Sequence, residues 1–382
     1  MENQAQLVGA SASQLLEAIE HFRKRRLIIL IDSVAAKPRA VLVAPAEQIT
    51  ADTVNEMLML GSGSLFVAIS PERSAALLLS PMQRPSSHVT QAIEKQESAK
   101  VCISVEAREG VTTGISAADR ACTIRVLGAK SVNPRKLVRP GHIFPVETRE
   151  GGVLIRHALP EGALDLVEMA GYTDAAAYLE ILNRSGEPSS VKEVEELAQR
   201  HNLPFVTLFD LTRFRLEREK IIERVAEAKL PTKLAGELRS IIYRSKMHSG
   251  EHLALIKGEI TPDEPILTRV QAEFTFGDVF GGENPPTRQQ LHRSLKAIGD
   301  QGRGVLIYLR RPFRGQLRQQ ISDWHSKFSE KPATMMREYG VGAQILQDLG
   351  IRRIELLTNT RRGPLGIQSF GIEIVGSRPL FE

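Results

Sequence analysis

The residues of this 382-residue chain best suited to chemistry on an anion are arginines, and they are unevenly placed. Residues 1–200 carry 22 Lys+Arg against 24 Asp+Glu, and residues 201–382 carry 28 against 21, so a net +5 divides into −2 and +7. Basic pairs recur in the second part at Arg310-Arg311, Arg352-Arg353 and Arg361-Arg362, with Arg314 and Arg318 close by. A guanidinium fork meets phosphate oxygens two at a time, so an anionic ligand or a nucleic acid suits this half. The same charge is also what an ordinary soluble surface carries. Thiol chemistry is sparse: Cys102 and Cys122 are the only cysteines. They read as strand and core residues rather than a reactive pair, and a disulfide framework is excluded.

These groups need elements to hold them, and the chain alternates short apolar strands with amphipathic helices, a mixed α/β pattern. Strands are predicted at Leu27–Asp32, Leu65–Ser70, Val101–Glu106, Leu253–Gly258, Gly304–Arg310 and Arg353–Thr358. Helices are predicted at Ser11–Arg25 and Ala51–Leu60, and another from Ser190, where S-V-K-E forms a capping box with Glu193. Leu211–Leu230 is charged and Gly-free and reads as a helical connector ended by Pro231, with the domain boundary near 205–230. The Gly/Pro-rich stretch Gly277–Thr287 reads as a loop. No run reaches the roughly 18 apolar residues of a membrane span. The N-terminus lacks the features of a secretory signal, so a cytoplasmic setting is expected. Low aromatic content (5%) argues against a nucleic-acid stacking surface.

Several blocks in the first half go together: REGVTTGISAADR (Arg108–Arg120), RPGHIFP (Arg139–Pro145), GSGSLFVAIS (Gly61–Ser70) and GGVLIRHALPEGALDLVEMAGY (Gly151–Tyr172). Over about residues 13–215 the chain resembles 3,4-dihydroxy-2-butanone 4-phosphate synthase, a family that makes a four-carbon riboflavin precursor and formate from ribulose 5-phosphate. From about residue 222 onward, AEAKLPT (Ala226–Thr232), TRVQAEFTFGDVFG (Thr268–Gly281), GRGVLIYLR (Gly302–Arg310), REYGVGAQILQDLGIRRIELLTN (Arg337–Asn359) and the FGIEIVGSRPL ending resemble GTP cyclohydrolase II. The order of the halves is that of the bifunctional fusion of riboflavin biosynthesis. The resemblance implies two mixed α/β domains, the synthase-like one over 1–210 and the cyclohydrolase-like one over 211–382.

Against that resemblance, the positions that should carry the metals are changed. The synthase family holds Mg²⁺ with an acidic cluster after its first strand; here the match is DSVAAKPRAV (Asp32–Val41), where Asp32 alone remains. The metal-ligating Glu falls on Lys37, a further acid on Arg39, and the second ligand, a His, on Leu159. Mg²⁺ takes hard oxygen ligands, which cations and an isobutyl group do not supply. Retained are His142, Glu180, Arg156 and, in the Gly-flanked turn, Thr112 and Thr113, groups able to hold a phosphate or sugar. The three zinc cysteines of the cyclohydrolase family fall on Phe274, Pro285 and Thr287, and its catalytic Asp falls on Met335. His248, His252 and His292 do not make an obvious replacement triad. Arg314 and Arg337 match arginines of that family.

The expectation is therefore a riboflavin-related protein without Mg²⁺ or Zn²⁺, non-catalytic or strongly altered, that binds a phosphorylated sugar or nucleotide or a partner protein. It would form a homodimer, or a heteromer with an active riboflavin-pathway enzyme, and act away from membranes and nucleic acid. The competing expectation is an active or residual enzyme of the pathway, or metal-independent chemistry.

Overall fold

The computed structural model describes residues 12–33, 38–82, 100–246, 250–261, 264–310, 317, 320–321, 332–359 and 370–381, with backbone alone at 25 and 332–339. The chain divides into two compact units, Met1–Phe214 and Arg215–Glu382.

In the first unit the runs IILID and RAVLVAP have no polar face, which suits strands covered on both sides. They form β1 (Ile28–Asp32) and β2 (Arg39–Pro45), followed by β3 (Ser62–Ile69), β4 (Lys100–Val101), β5 (Val105–Ala107), β6 (Leu137–Glu147), β7 (Ala175–Ile181) and β8 (Phe205–Thr207). The order across the sheet is β4-β6-β3-β7-β2-β1-β8, with β5 pairing β6. The β1/β8 and β3/β6 pairs are parallel and the others antiparallel.

Alternation along each strand sends side chains to two cores. Leu27, Ile29 and Ile31 join Val54, Ile124 and Val194, while Ile28 and Leu30 join Phe22, Leu166 and Leu211. One face is thus covered by α2 (Ala51–Gly61), α4 (Ala117–Leu127) and α6 (Val191–His201). The other is covered by α1 (Ala12–Arg25), α5 (Leu159–Met169) and α7 (Leu208–Arg218). A short α3 (Pro71–Ala76) follows β3 and carries Arg73, which is 6% exposed. Its guanidinium meets Asp174 Oδ1 at 2.5 and 2.8 Å and donates to the carbonyls of Leu127 and Ala129. That ties the ends of β3 and β7 to the end of α4.

The second unit contains β9 (Ile222–Thr232), β10 (Gly236–Ser245), β11 (Glu251–Lys257), β12 (Ile266–Ala272), β13 (Gly304–Leu309), β14 (Arg353–Leu357) and β15 (Glu373–Arg378). They are ordered β15-β14-β12-β13-β11-β10-β9. The helices α8 (Thr275–Asp278), α9 (Thr287–Gln301) and α10 (Pro332–Asp348) complete its described elements. Leu238, Leu255, Leu267, Ile298 and Leu306 form a core between the sheet and α9. No helix among the described residues is long and apolar enough to cross a membrane.

Three sequence expectations need correction. The connector Leu211–Leu230 is not one helix: α7 ends at Arg218, and Ile222–Thr232 is a strand laddered antiparallel against β10. Pro231 lies inside that strand, where the edge position of β9 makes its missing N–H harmless. Val101–Glu106 is two short strands rather than one, β4 and β5, which pair with different parts of β6. The stretch Gly277–Thr287 is not wholly loop, since α8 takes its first two residues and α9 its last.

Candidate functional site

In the first unit the retained polar residues converge on one end of one sheet face. Phe66 on β3 is the cross-strand partner of Phe144 on β6 and of Tyr178 on β7, and its ring stacks on Tyr178 at 5.5 Å. With a period of two, His142 and Glu180 continue this face, each two residues on toward the same end. Glu180 stands opposite Val41 on β2, and Arg39 opposite Asp32 on β1.

Arg39 closes on Glu180 as a two-pronged ion pair, Nε to Oε1 at 2.6 Å and Nη2 to Oε2 at 3.0 Å. The bond to Glu180 outweighs desolvation and keeps the guanidinium firmly protonated. A position expected to carry an acid thus supplies a cation that occupies both oxygens of the neighbouring carboxylate. Asp32, half-buried at the end of β1, adds a weaker attraction to the same guanidinium. Lys37 lies outside the described residues.

A second ion pair stands across the face. Arg156 Nη2 meets Glu161 Oε1 at 2.7 Å, and both side chains are at least nine-tenths buried. The backbone N–H of Arg149 also donates to Glu161 Oε1. Burial pushes the Glu161 carboxyl up, against the opposing pull of Arg156. Leu159, at the start of α5, is 7% exposed and packs into the apolar core. Tyr178 is also buried, and its phenol is pushed up first by burial and then by the charge of Glu161.

His142 is held differently. Its Nδ1 lies 2.7 Å from Glu106 Oε2, and Glu106 Oε1 accepts from Thr123 at 3.3 Å. The imidazole is half exposed while Glu106 is buried, so the carboxylate orients the ring through Nδ1. The Thr112–Gly114 turn closes over this pair. Asp119, in the first turn of α4, accepts from the Thr112 N–H and hydroxyl and from the Gly114 N–H. Burial alone would raise the Asp119 carboxyl, but the hydrogen bonds from Thr112, Gly114 and Ser116 outweigh it and hold it down. Gly114 has φ +78°, and a Cβ there would sit 2.1 Å from Glu106 Oε2 and 2.5 Å from His142 Nδ1. Thr113 is exposed, its hydroxyl accepting from the Ile115 N–H.

Glu106, Asp119, Glu161 and Tyr178 belong to this site although none stands out from spacing alone. Asp119 was the most findable, because S-A-A-D before a helix is a capping pattern. Tyr178 left no signal beyond an apolar run.

In the second unit two of the three residues at the expected zinc-ligand positions, Phe274 and Thr287, both lie against Gly277. A Cβ built on Gly277 would lie 2.1 Å from Thr287 Oγ1 and 2.7 Å from Phe274 Cδ1. Phe274 is 5% exposed, its ring 6.2 Å from that of Phe276. Asp278 organises the region, accepting from the Phe274 N–H, from Gln271 Nε2 and from the Tyr308 hydroxyl at 2.6 Å. Burial, and then that bond, push the Tyr308 phenol up. Pro285 lies between α8 and α9 and brings no ligand atom. An aromatic ring, an imide ring and a hydroxyl do not fit a zinc ion, which takes thiolate, imidazole or carboxylate. Of the expected magnesium positions, Leu159 lies in the core and Lys37 is outside the described residues. Among the described residues no three His, Cys, Asp or Glu side chains group to hold a metal. His252 is buried on β11, His292 lies on α9, and His248 is outside the described residues.

The basic half is partly self-compensated. Arg303 pairs with Glu264, Arg310 lies 3.8 Å from Glu273, and Arg353 and Arg378 pair with Glu373 and Glu355. Asp348 takes Lys220, Arg224 and the Tyr243 hydroxyl. Arg314 lies outside the described residues; Met335 and Arg337 lie on α10, their side chains outside the description.

Comparison with known proteins agrees with both halves. Residues 16–214 match the sequence model of 3,4-dihydroxy-2-butanone 4-phosphate synthase, and residues 223–379 that of GTP cyclohydrolase II. Riboflavin biosynthesis protein RibBA of Aquifex aeolicus is 37% identical over 95% of this chain and 91% of its own length. A chloroplastic protein of Oryza sativa, described as a probable monofunctional riboflavin biosynthesis protein, is 35% identical over 96% of this chain and 70% of its own. Among solved structures, RibBX of A. baumannii, described as a two-domain 3,4-dihydroxy-2-butanone 4-phosphate synthase, superposes with a TM-score of 0.75. It is 28% identical, and the match covers 96% of this chain and 98% of that one.

Proposed function

Since this chain belongs to the riboflavin-biosynthesis family that fuses 3,4-dihydroxy-2-butanone 4-phosphate synthase to GTP cyclohydrolase II, we propose that it is a strongly altered, metal-independent member that binds a phosphorylated sugar in its first unit without the family's lyase turnover. The carrying observation is the two-pronged Arg39–Glu180 pair. The lyase chemistry needs a metal to stabilise an oxyanion and carboxylates to move protons. Here the carboxylate is neutralised by a fixed guanidinium, and Leu159 stands where a ligand is needed. What persists is a binding surface: Arg156, the Thr112–Gly114 turn and an oriented imidazole at His142.

The role that follows is a binding or partner subunit in the cytoplasm, as a homodimer or paired with an active enzyme of the pathway. The test measures formate release from ribulose 5-phosphate with excess Mg²⁺, beside calorimetric binding of the same compound. Binding without family-like turnover is the expected result; rapid formate release overturns the reading.

A second reading, a residual enzyme, draws on the His142–Glu106 pair. An imidazole oriented by a buried carboxylate is a general acid–base arrangement, able to exchange a proton next to a carbonyl without a metal. Deuterium exchange from solvent into ribulose 5-phosphate, abolished by His142→Ala, would support it.

A further inference from the structure

Two side chains of α4 act on His142 through its neighbours. Asp119 and Thr123 stand four residues apart, so they share one face of that helix. Asp119 anchors the Thr112–Gly114 turn through the Thr112 and Gly114 N–H groups. Thr123 is fully buried; its Oγ1 accepts from the Ala107 N–H at 3.0 Å and lies 3.3 Å from Glu106 Oε1. Just before His142, β6 approaches β5 so closely that a Cβ on Gly141 would lie 2.1 Å from the Val105 carbonyl carbon and 2.4 Å from the Glu106 nitrogen. The backbones that carry the imidazole and the carboxylate are thus pinned together, and among the described residues Thr123 is the donor that reaches Glu106 Oε1.

The Thr123 hydroxyl has one proton and two acceptors within reach, Glu106 Oε1 and the Asp119 carbonyl at 3.2 Å. That carbonyl is placed to accept the helical N–H four residues on, whereas Oε1 depends on the hydroxyl. The proton is better used on the carboxylate. A carboxylate oxygen only accepts, so with Oε1 engaged by Thr123 the second oxygen, Oε2, takes its hydrogen bond from His142 Nδ1, 2.7 Å away. A neutral imidazole carries one N–H, and its lone pair then lies on Nε2.

We propose that Thr123 is a positioning residue: its hydroxyl holds Glu106 in the orientation that fixes His142 in the Nδ1–H tautomer, with Nε2 as the basic nitrogen. Thr123 acts through Glu106. The use of that nitrogen as a base rests on the residual-enzyme reading above, but the tautomer is readable without any substrate.

The full chain, labelled with ¹⁵N-histidine, is measured by two-bond ¹⁵N–¹H correlation under alkaline conditions, where imidazoles are neutral. His142→Gln assigns the signal. The unmodified chain should show His142 mainly as Nδ1–H. Thr123→Val keeps the shape and removes the donor, and should shift the tautomer ratio about tenfold toward Nε2–H, the worth of one hydrogen bond to a charged group. Thr123→Ser, which restores the hydroxyl, should restore the ratio. If Thr123→Val does not fold, Glu106→Gln carries the test, because its amide can donate to Nδ1 and should make Nε2–H the main form. An Nε2–H imidazole in the unmodified chain overturns the proposal, as does an unchanged ratio in Thr123→Val or, where that variant does not fold, in Glu106→Gln. Solvent deuterium exchange into ribulose 5-phosphate should fall in Thr123→Val and return in Thr123→Ser. An Nδ1–H imidazole that responds to Thr123 in a chain without exchange would remove the residual-enzyme reading and uphold the positioning role.

Discussion

At the scale of single residues, an arginine can either clamp a fold or disarm a site, and this chain shows both. Arg73 is buried and donates to Asp174 and to two backbone carbonyls, so removing it takes the cation from Asp174 and a donor from each carbonyl. Arg73→Met should cost about 3 kcal/mol, the scale of breaking a buried pair. The pair is also acid-sensitive. Burial alone would raise the Asp174 carboxyl, but Arg73 and Ser70 outweigh it and hold it below the ordinary value. A carboxyl whose folded pKa lies under its unfolded value of about 3.9 stabilises fully above that pH and loses the contribution as pH falls through the folded value. Urea midpoints should therefore fall between pH 6 and pH 3 more steeply in the unmodified chain than in Arg73→Met; equal slopes would mean that acid acts elsewhere. Arg39 is the opposite case, a cation placed where it silences a carboxylate. Restoring acids and a ligand through Lys37→Glu, Arg39→Glu and Leu159→His should release Glu180 and bring measurable Mg²⁺ binding by calorimetry. No binding in that triple variant would mean that the pocket has changed beyond these positions.

Single elements show where local signals suffice and where pairing overrides them. Ser190 caps α6 as its spacing indicates: the Glu193 N–H donates to the Ser190 hydroxyl, and the Ser190 N–H donates back to Glu193. Its loss in Ser190→Ala should cost about 1 kcal/mol in chemical denaturation. The Thr112–Gly114 turn is more demanding, because Gly114 combines a left-handed backbone with contact to Glu106 and His142. Gly114→Ala should destabilise by roughly 1–3 kcal/mol. It should also displace the imidazole, visible as changed His142 ring chemical shifts by NMR; unchanged shifts would show that the turn does not set the ring. Strand β9 is the counterexample. Its residues Glu223–Lys229 are charged and helix-favouring, yet the ladder to β10 decides their conformation.

For the molecule as a whole, the chain folds as two units that match two different enzyme families. The second unit should contain no stoichiometric zinc, because Phe274, Pro285 and Thr287 stand where thiolates are required. Elemental analysis after chelator exchange checks this, and about one zinc per chain would contradict it. Its surface charge is partly matched by ion pairs among the described residues, so anion binding there should be weak. A dissociation constant between micromolar and millimolar for GTP or pyrophosphate, weakening steeply with salt and lost in Arg314→Ala, is the expected outcome. Salt-independent binding would point away from the arginines.

The sequence by itself determined the family and the mixed α/β character, because those are properties of residue identity and local motif. Strands buried on both faces, such as β1, and helices with a cap, such as α6, were legible from their own residues. Only the tertiary structure decided what the replacements do. That Arg39 grips Glu180, 141 positions away, follows from the β1/β2 and β2/β7 registers, which no local pattern encodes. The same holds for Phe274 and Thr287, both lying against Gly277. Each depends on long-range pairing that brings distant side chains onto one face, and there their charges and hydrogen bonds acquire a partner or are left to seek one.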